Sequence, residues 1–293
     1  MTVKSTDSTS YTTLISAAAL QRSVKHNNVL IFDCRFDLAD TEKKRMEYLE
    51  SHIPGAFYAH LDEQLSSPIL ADSGRHPMPD IKRLVNWLAD CGFDGQQQVV
   101  VYDDSFGAMA SRLWWLLKGL GHEMVAVLDG GWQAWQAVGG AVNAALPQNK
   151  SGSYSAEFDA SFEVSTERVL NTFAQTDKSR FQLVDVRANQ RFIGAMEPID
   201  PIAGHIPGAI NMPLTDNLNE QGYYLPVLQL KELYQPLMNI HSADDLVFMC
   251  GSGVTACHSV LAMVHAGYPM PRVYAGSWSE WIRDSKRPIA TGQ

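Results

Sequence analysis

The chain has 293 residues, 45% hydrophobic and 19% charged, the composition of a folded globular protein with a full core. That length fits two domains of ordinary size better than one. The net charge of −9 supplies no basic field, which excludes nucleic acid and anionic membrane surfaces as partners. Residues 1–7 are polar and the apolar run from Leu14 to Leu20 is too short to span a bilayer, so neither a signal peptide nor a membrane anchor is read. Four cysteines, none in a Cys-x-x-Cys pair, make no disulfide framework; a reducing, cytoplasmic compartment is the expectation.

In chain order, the first strand of buried type is Val29-Leu30-Ile31-Phe32-Asp33-Cys34-Arg35, ending in Asp-x-Arg. The tight-turn sequence His52-Ile53-Pro54-Gly55-Ala56 follows. Asp80 can cap a helix whose apolar positions Ile81, Leu84, Val85 and Leu88 share one face, ending near Gly92. Val99-Val100-Val101-Tyr102-Asp103 is a second buried strand, and Asp129-Gly130-Gly131-Trp132 with Trp135 comes next. The polar, turn-rich run from Pro147 to Ser153 begins a linker.

After the linker the chain repeats itself. Phe181-Gln182-Leu183-Val184-Asp185-Val186-Arg187 matches the first strand, and His205-Ile206-Pro207-Gly208-Ala209 matches the turn. Leu246-Val247-Phe248-Met249-Cys250 matches the second strand, and Ala275-Gly276-Ser277-Trp278 with Trp281 matches the tryptophan segment. Four matches in one order mean a duplicated globular unit, because the period is too long for a solenoid. The expected division is residues 1–147, a linker at 148–162, and residues 163–293. Strands alternating with helical patterns predict an α/β fold in each copy: a mostly parallel sheet flanked by helices, with its site beyond the carboxyl ends of the strands. The paired tryptophans and the two turn histidines are read as structural, one packing on the sheet and the other satisfying local backbone.

Cys250 begins Cys250-Gly251-Ser252-Gly253-Val254-Thr255-Ala256 at the end of a buried strand. Backbone N–H groups of such a loop, with the dipole of the next helix, favour a thiolate nucleophile. Asp103 occupies the matching strand end in the first copy, so only the second copy carries a usable nucleophile. Cys257 is expected about two turns down the following helix, roughly 10 Å away along its axis, packed and silent. A cysteine phosphatase is excluded because Ala256 stands where an arginine would have to close the loop on phosphate. The nine histidines are scattered, and His258 beside Cys257 has no spaced ligand set, so no metal site is expected.

Taken in order, these motifs resemble the tandem-domain rhodanese-like sulfurtransferases over nearly the whole chain. The resemblance implies an inactive N-terminal domain, a C-terminal domain whose Cys250 forms a persulfide, and no cofactor. The loop Cys-Gly-Ser-Gly-Val-Thr-Ala is similar to that of the members acting on 3-mercaptopyruvate. Thiosulfate-using members place cations directly after the cysteine, whereas Gly251 and Ser252 leave this loop uncharged beside the thiolate. The loop residues Gly251, Gly253, Val254, Thr255 and Ala256 are implied to surround the substrate. The resemblance places the carboxylate-binding arginine on Arg187, with Arg191 as the weaker candidate. An ion pair between Arg187 and Asp185 is the competing reading. It also implies a relay of Ser252, His76 and Asp62, the last two reaching in from the N-terminal domain. The implied acceptor is a thiol (thioredoxin among them) or cyanide. A thiosulfate:cyanide sulfurtransferase and a non-catalytic persulfide carrier are the alternatives.

Overall fold

The computed structural model describes residues 10–24, 28–149, 152–173 and 181–292. In the first half, strands β1 (Leu14–Ile15), β2 (Val29–Asp33), β3 (Phe57–Tyr58), β4 (Gln98–Tyr102) and β5 (Val125–Leu128) form a sheet in the order β1-β5-β4-β2-β3. In the second, β6 (Gln182–Asp185), β7 (Ile210–Asn211), β8 (Leu246–Met249) and β9 (Arg272–Val273) pair in the order β7-β6-β8-β9. Every pairing within the two sheets is parallel. The place of β1 is taken in the second half by a single parallel bridge, Glu163 to Val273.

The helices follow from capping and apolar spacing. Helices α1 (Ala17–Ser23) and α2 (Lys43–Glu50) precede α3 (Ile81–Asp90), whose first turn is capped by the Asp80 carboxylate accepting from the Arg83 N–H at 3.0 Å. Cys91 and then Gly92, at φ +87°, end it. After α4 (Ala110–Gly119) and α5 (Gly131–Ala137) come α6 (Thr166–Phe173), α7 (Asn189–Phe192), α8 (Val227–Met238), α9 (Ala256–His265) and α10 (Ser277–Trp281).

The two halves meet through α4 and α9, which pack on each other. All ten residues of α4 are buried, Arg112 and Lys118 included, and one apolar cluster runs from Phe32 and Trp114 across to Phe248 and Val260. A helix hydrophobic all round must be covered on all sides, and here the second half supplies the cover. Two smaller clusters repeat on the outer faces: Ile31, Tyr102, Trp132 and Trp135 in one half, Leu183, Met249, Trp278 and Trp281 in the other.

The duplication extends to polar detail. Arg35 closes on Asp33 and lies 4.6 Å over Trp132; Arg187 closes on Asp185 and lies 4.7 Å over Trp278. The turn histidines meet backbone carbonyls, His52 those of Tyr48 and Ala145, His205 that of Phe192. Gly55 and Gly208, at φ +80° and +82°, make the turns possible.

Candidate active site

Strands β6 and β8 end together, Asp185 opposite Met249, so Cys250 emerges at the carboxyl edge of the sheet. Its backbone is fixed from α10: the Cys250 N–H donates to Ser277 Oγ at 3.1 Å, and the Cys250 and Gly251 carbonyls accept from the Trp278 and Ser279 N–H groups. Ser277 takes a left-handed conformation, φ +53°, unusual without glycine, and its hydroxyl also donates to the Tyr274 carbonyl. Gly253, at φ +74°, lies so close to Ala275 that a Cβ would stand 2.2 Å from its carbonyl oxygen.

The matching loop of the first half shows what this curvature does. There the buried Asp103 carboxylate accepts N–H bonds from Ser105, Gly107, Met109 and Ala110 at 2.7–2.9 Å. The shape is an anion cradle, filled in that half by its own aspartate. In the second half, no protein acceptor takes the backbone N–H groups of residues 251–256 among the described residues. Cys250 stands at the head of this loop as Asp103 does at the head of its twin.

Cys250 lines a cavity of about 190 Å³ at the junction of the two halves, with Gly251, Ser252, Val254 and Thr255 of its loop. Gly253 and Ala256 lie behind the loop and shape it without lining the cavity. Leu38, Leu61, Arg75, His76 and Met109 close it from the N-terminal half. His76 Nδ1 is 2.7 Å from Ser252 Oγ, and its Nε2 is 3.3 Å from an Asp62 carboxylate oxygen. Burial holds His76 below the ordinary histidine pKa although Asp62 pulls it upward, so the neutral ring predominates near pH 7. With the Nε2 proton towards Asp62, Nδ1 accepts from the serine hydroxyl.

Cys257 is not two turns away. Helix α9 starts only at Ala256, so Cys257 sits in its first turn, with its thiol donating to the Gly253 carbonyl at 3.4 Å behind the loop. The expectation counted helical rise through residues that the loop uses. Burial pushes Cys91 and Cys257 up to about 12 and Cys34 well above the usual thiol range, which keeps these three protonated.

The loop itself carries no charged side chain, but the cavity around it does. Arg75, Arg187 and Arg191 all line the cavity, and a Cβ on Gly251 would stand 2.8 Å from Arg75 Nη2. The cation missing from the loop thus comes from the other half of the chain, and it occupies the space a side chain at position 251 would need. Arg187 and Arg191 are held differently. Arg187, its side chain 1% exposed, donates through Nε and Nη2 to Asp185 and through Nη2 to the Gly204 carbonyl, the same commitment that Arg35 makes to Asp33 and the Ser51 carbonyl. Arg191, 14% exposed, reaches across the mouth to Glu197 and Asp200.

Arg75, Glu197, Asp200 and Arg112 escaped sequence reasoning. Arg112 is wholly buried without a carboxylate partner among the described residues; it donates to the Gly253 carbonyl at 3.1 Å and touches the His76 and Pro77 carbonyls, tying α4 to the cysteine loop. A single arginine inside the apolar run of α4 was its one visible signal. The Glu42, His60 and Glu63 cluster is not suited to a metal: His60 Nδ1 accepts from the Asp62 N–H, its Nε2 faces the Thr41 carbonyl, and Arg45 bridges both glutamates.

Known proteins fit this geometry. A family model described as the rhodanese-like domain matches twice, at residues 16–138 and 169–284. A Pseudomonas aeruginosa protein named "probable 3-mercaptopyruvate sulfurtransferase" is 44% identical over 95% of this chain and 98% of its own. A thiosulfate sulfurtransferase of Mus musculus is 32% identical over 93% of both chains. The solved structure of a 3-mercaptopyruvate sulfurtransferase from Leishmania major superposes with a TM-score of 0.81 at 27% identity, over 94% of this chain and 76% of that one. With both halves matched, the cysteine loop at a strand end and its twin filled by Asp103, the chain belongs to the rhodanese-like family.

Proposed function

We propose that the protein is a 3-mercaptopyruvate sulfurtransferase working through Cys250. The observation that carries this is Cys250 at the floor of a cavity that offers arginines for a carboxylate and a Ser252–His76 pair for a proton. The Cys250 thiolate attacks the substrate thiol sulfur and forms an S–S bond. The carbon–sulfur bond breaks, and its electron pair leaves as pyruvate enolate. The proton from the substrate thiol passes by way of Ser252 and His76 to the enolate carbon, giving pyruvate and a Cys250 persulfide anion in the loop cradle. Asp62 orients His76 and favours the tautomer that accepts from Ser252. An acceptor thiolate, such as a reduced thioredoxin, or cyanide then takes the outer sulfur and restores the Cys250 thiolate.

Arg191 and Arg75 are the better-placed carboxylate clamps, with Arg187 as the fixed cation behind them. The working division keeps residues 1–147 as the non-catalytic wall and 163–293 as the sulfur-carrying domain, joined by 148–162. A cytoplasmic setting suits four free thiols; among the described residues no helix is long and apolar enough to cross a membrane. One observation favours thiosulfate as an alternative donor, namely the three guanidinium groups at the cavity, which a thiosulfate dianion would seek. Against it, each is already matched by a carboxylate, Asp185, Glu197 or Asp200. The deciding experiment compares kcat/KM for the two donors with cyanide as acceptor at fixed salt. Mercaptopyruvate should lead by about tenfold or more. Equal rates or a lead for thiosulfate would reverse the assignment, and no turnover above Cys250→Ser would make the protein a carrier.

A further inference from the structure

Two acids meet the cavity arginines, and they are held differently. Glu197 accepts from Arg191 Nε at 3.0 and 2.9 Å, approaches Arg187 Nη1 at 3.4 Å, and also accepts the Ile199 and Asp200 backbone N–H groups. It is a fixed part of the wall. Among the described residues the Asp200 carboxylate has only guanidinium partners: Arg75 Nη1 on one oxygen and Arg191 Nη2, at 3.2 Å, on the other. Its side chain is 3% exposed and lies 3.8 Å from the space over Gly251, directly after the nucleophile. Asp200 thus spans one arginine from each half of the chain, in the bridging geometry that a bound carboxylate would adopt.

We infer that Asp200 is a specificity-determining residue, an internal carboxylate that lies behind the lining arginines and competes with the substrate for Arg75 and Arg191. This rests on the placement of the substrate carboxylate proposed above. The three lining arginines are matched from behind by Asp185, Glu197 and Asp200, so an incoming anion gains only what it takes from Asp200. A monoanionic carboxylate can exchange with that aspartate one for one. A dianion such as thiosulfate brings a second charge that nothing neutralises. Burial raises the Asp200 pKa and Arg75 and Arg191 lower it, with Glu197 alongside raising it, so the group is costly to keep charged without its arginines. Losing the pair to a substrate is correspondingly hard, and selectivity for a well-shaped carboxylate follows.

The test is the charge dependence of Cys250 alkylation, which needs no sulfur donor. Purified full-length protein is treated with iodoacetate or with neutral iodoacetamide, and modification is mapped to Cys250. Iodoacetamide reports folding and thiol reactivity; the iodoacetate-to-iodoacetamide ratio reports anion attraction. Asp200→Asn should raise that ratio about tenfold, the scale of one freed charge pair in a partly screened site. The double variant Asp200→Asn with Arg75→Gln should return it close to wild type, and Arg75→Gln alone should lower it. If Asp200→Asn folds poorly, the fall in Arg75→Gln is the deciding result. An unchanged ratio in Asp200→Asn with normal iodoacetamide reactivity, or in Arg75→Gln, would overturn the inference. A raised ratio should bring a lower KM for mercaptopyruvate and a larger gain toward thiosulfate. If the ratio rises while the mercaptopyruvate KM stays put, the substrate assignment fails and the role of Asp200 in anion attraction stands.

Discussion

Replacing Arg187 by methionine, with the twin change Arg35→Met as its control, separates scaffold from substrate clamp. Arg187→Met strips the buried Asp185 carboxylate of the Nε and Nη2 bonds at 3.0 and 2.6 Å, leaving only the Arg187 backbone N–H at 3.0 Å. An uncompensated buried charge of this kind costs about 3–5 kcal/mol. Arg35→Met removes the same pair but leaves Asp33 with the Tyr102 hydroxyl at 2.6 Å as well as the Arg35 N–H at 3.0 Å. One retained bond to a charged group is worth about 1.5–3 kcal/mol, so the loss should be smaller by about that amount. Urea unfolding followed by tryptophan fluorescence measures both, since Trp132 and Trp278 lie under the two guanidinium groups. Activity measured well below each midpoint completes the comparison. If Arg187→Met were as stable as wild type within about 0.5 kcal/mol yet had a strongly raised mercaptopyruvate KM, the scaffold argument would be refuted and Arg187 would be the clamp.

Ser252→Ala removes the hydroxyl that meets His76 and should lower kcat by about a hundredfold with little change in stability; near-normal kcat would exclude proton delivery by this route. Because burial depresses the His76 pKa, the wild-type rate should hold as pH falls through 6.5, where an exposed histidine would already be charging; a rate collapse centred on 6.5 would contradict the neutral ring. Burial also takes His258 down to about 3 from 6.5. A folded pKa below the unfolded one means stability present above pH 6.5 and lost progressively towards pH 3, by about 5 kcal/mol at about 1.4 kcal/mol per unit. His258→Phe, which keeps the stacking on Tyr224, should flatten that loss; an unchanged acid slope would place the effect elsewhere.

The fold was legible because its duplication was written in local chemistry. Asp-x-Arg, the Pro-Gly turns and the tryptophan pairs each serve a neighbour a few residues or one strand away, so they recur wherever the unit recurs. The cysteine loop could be read for the same reason: Gly253 and the strand-end position are local requirements. The charge of the cavity could not. Arg75 and Asp200 are 125 residues apart and meet only because α4 packs on α9. Within the loop sequence Gly251 looks like a missing cation, whereas in space it is the clearance that admits Arg75. A strand-end arginine beside the nucleophile invites a substrate role, and its twin Arg35 makes the same ion pair, so Arg187 carries a structural commitment that the sequence left open as the competing reading. Cys257 was misplaced because a one-dimensional count cannot tell how many residues a loop consumes before its helix starts.

Sulfur carriage on Cys250 is read out by peptide-mapped mass spectrometry after one equivalent of mercaptopyruvate without acceptor. One added sulfur should appear on the Cys250 peptide, vanish when cyanide is added, and be absent from Cys250→Ser. Sulfur found on Cys257, Cys34 or Cys91 instead, or on no cysteine while pyruvate is still released, would contradict the account.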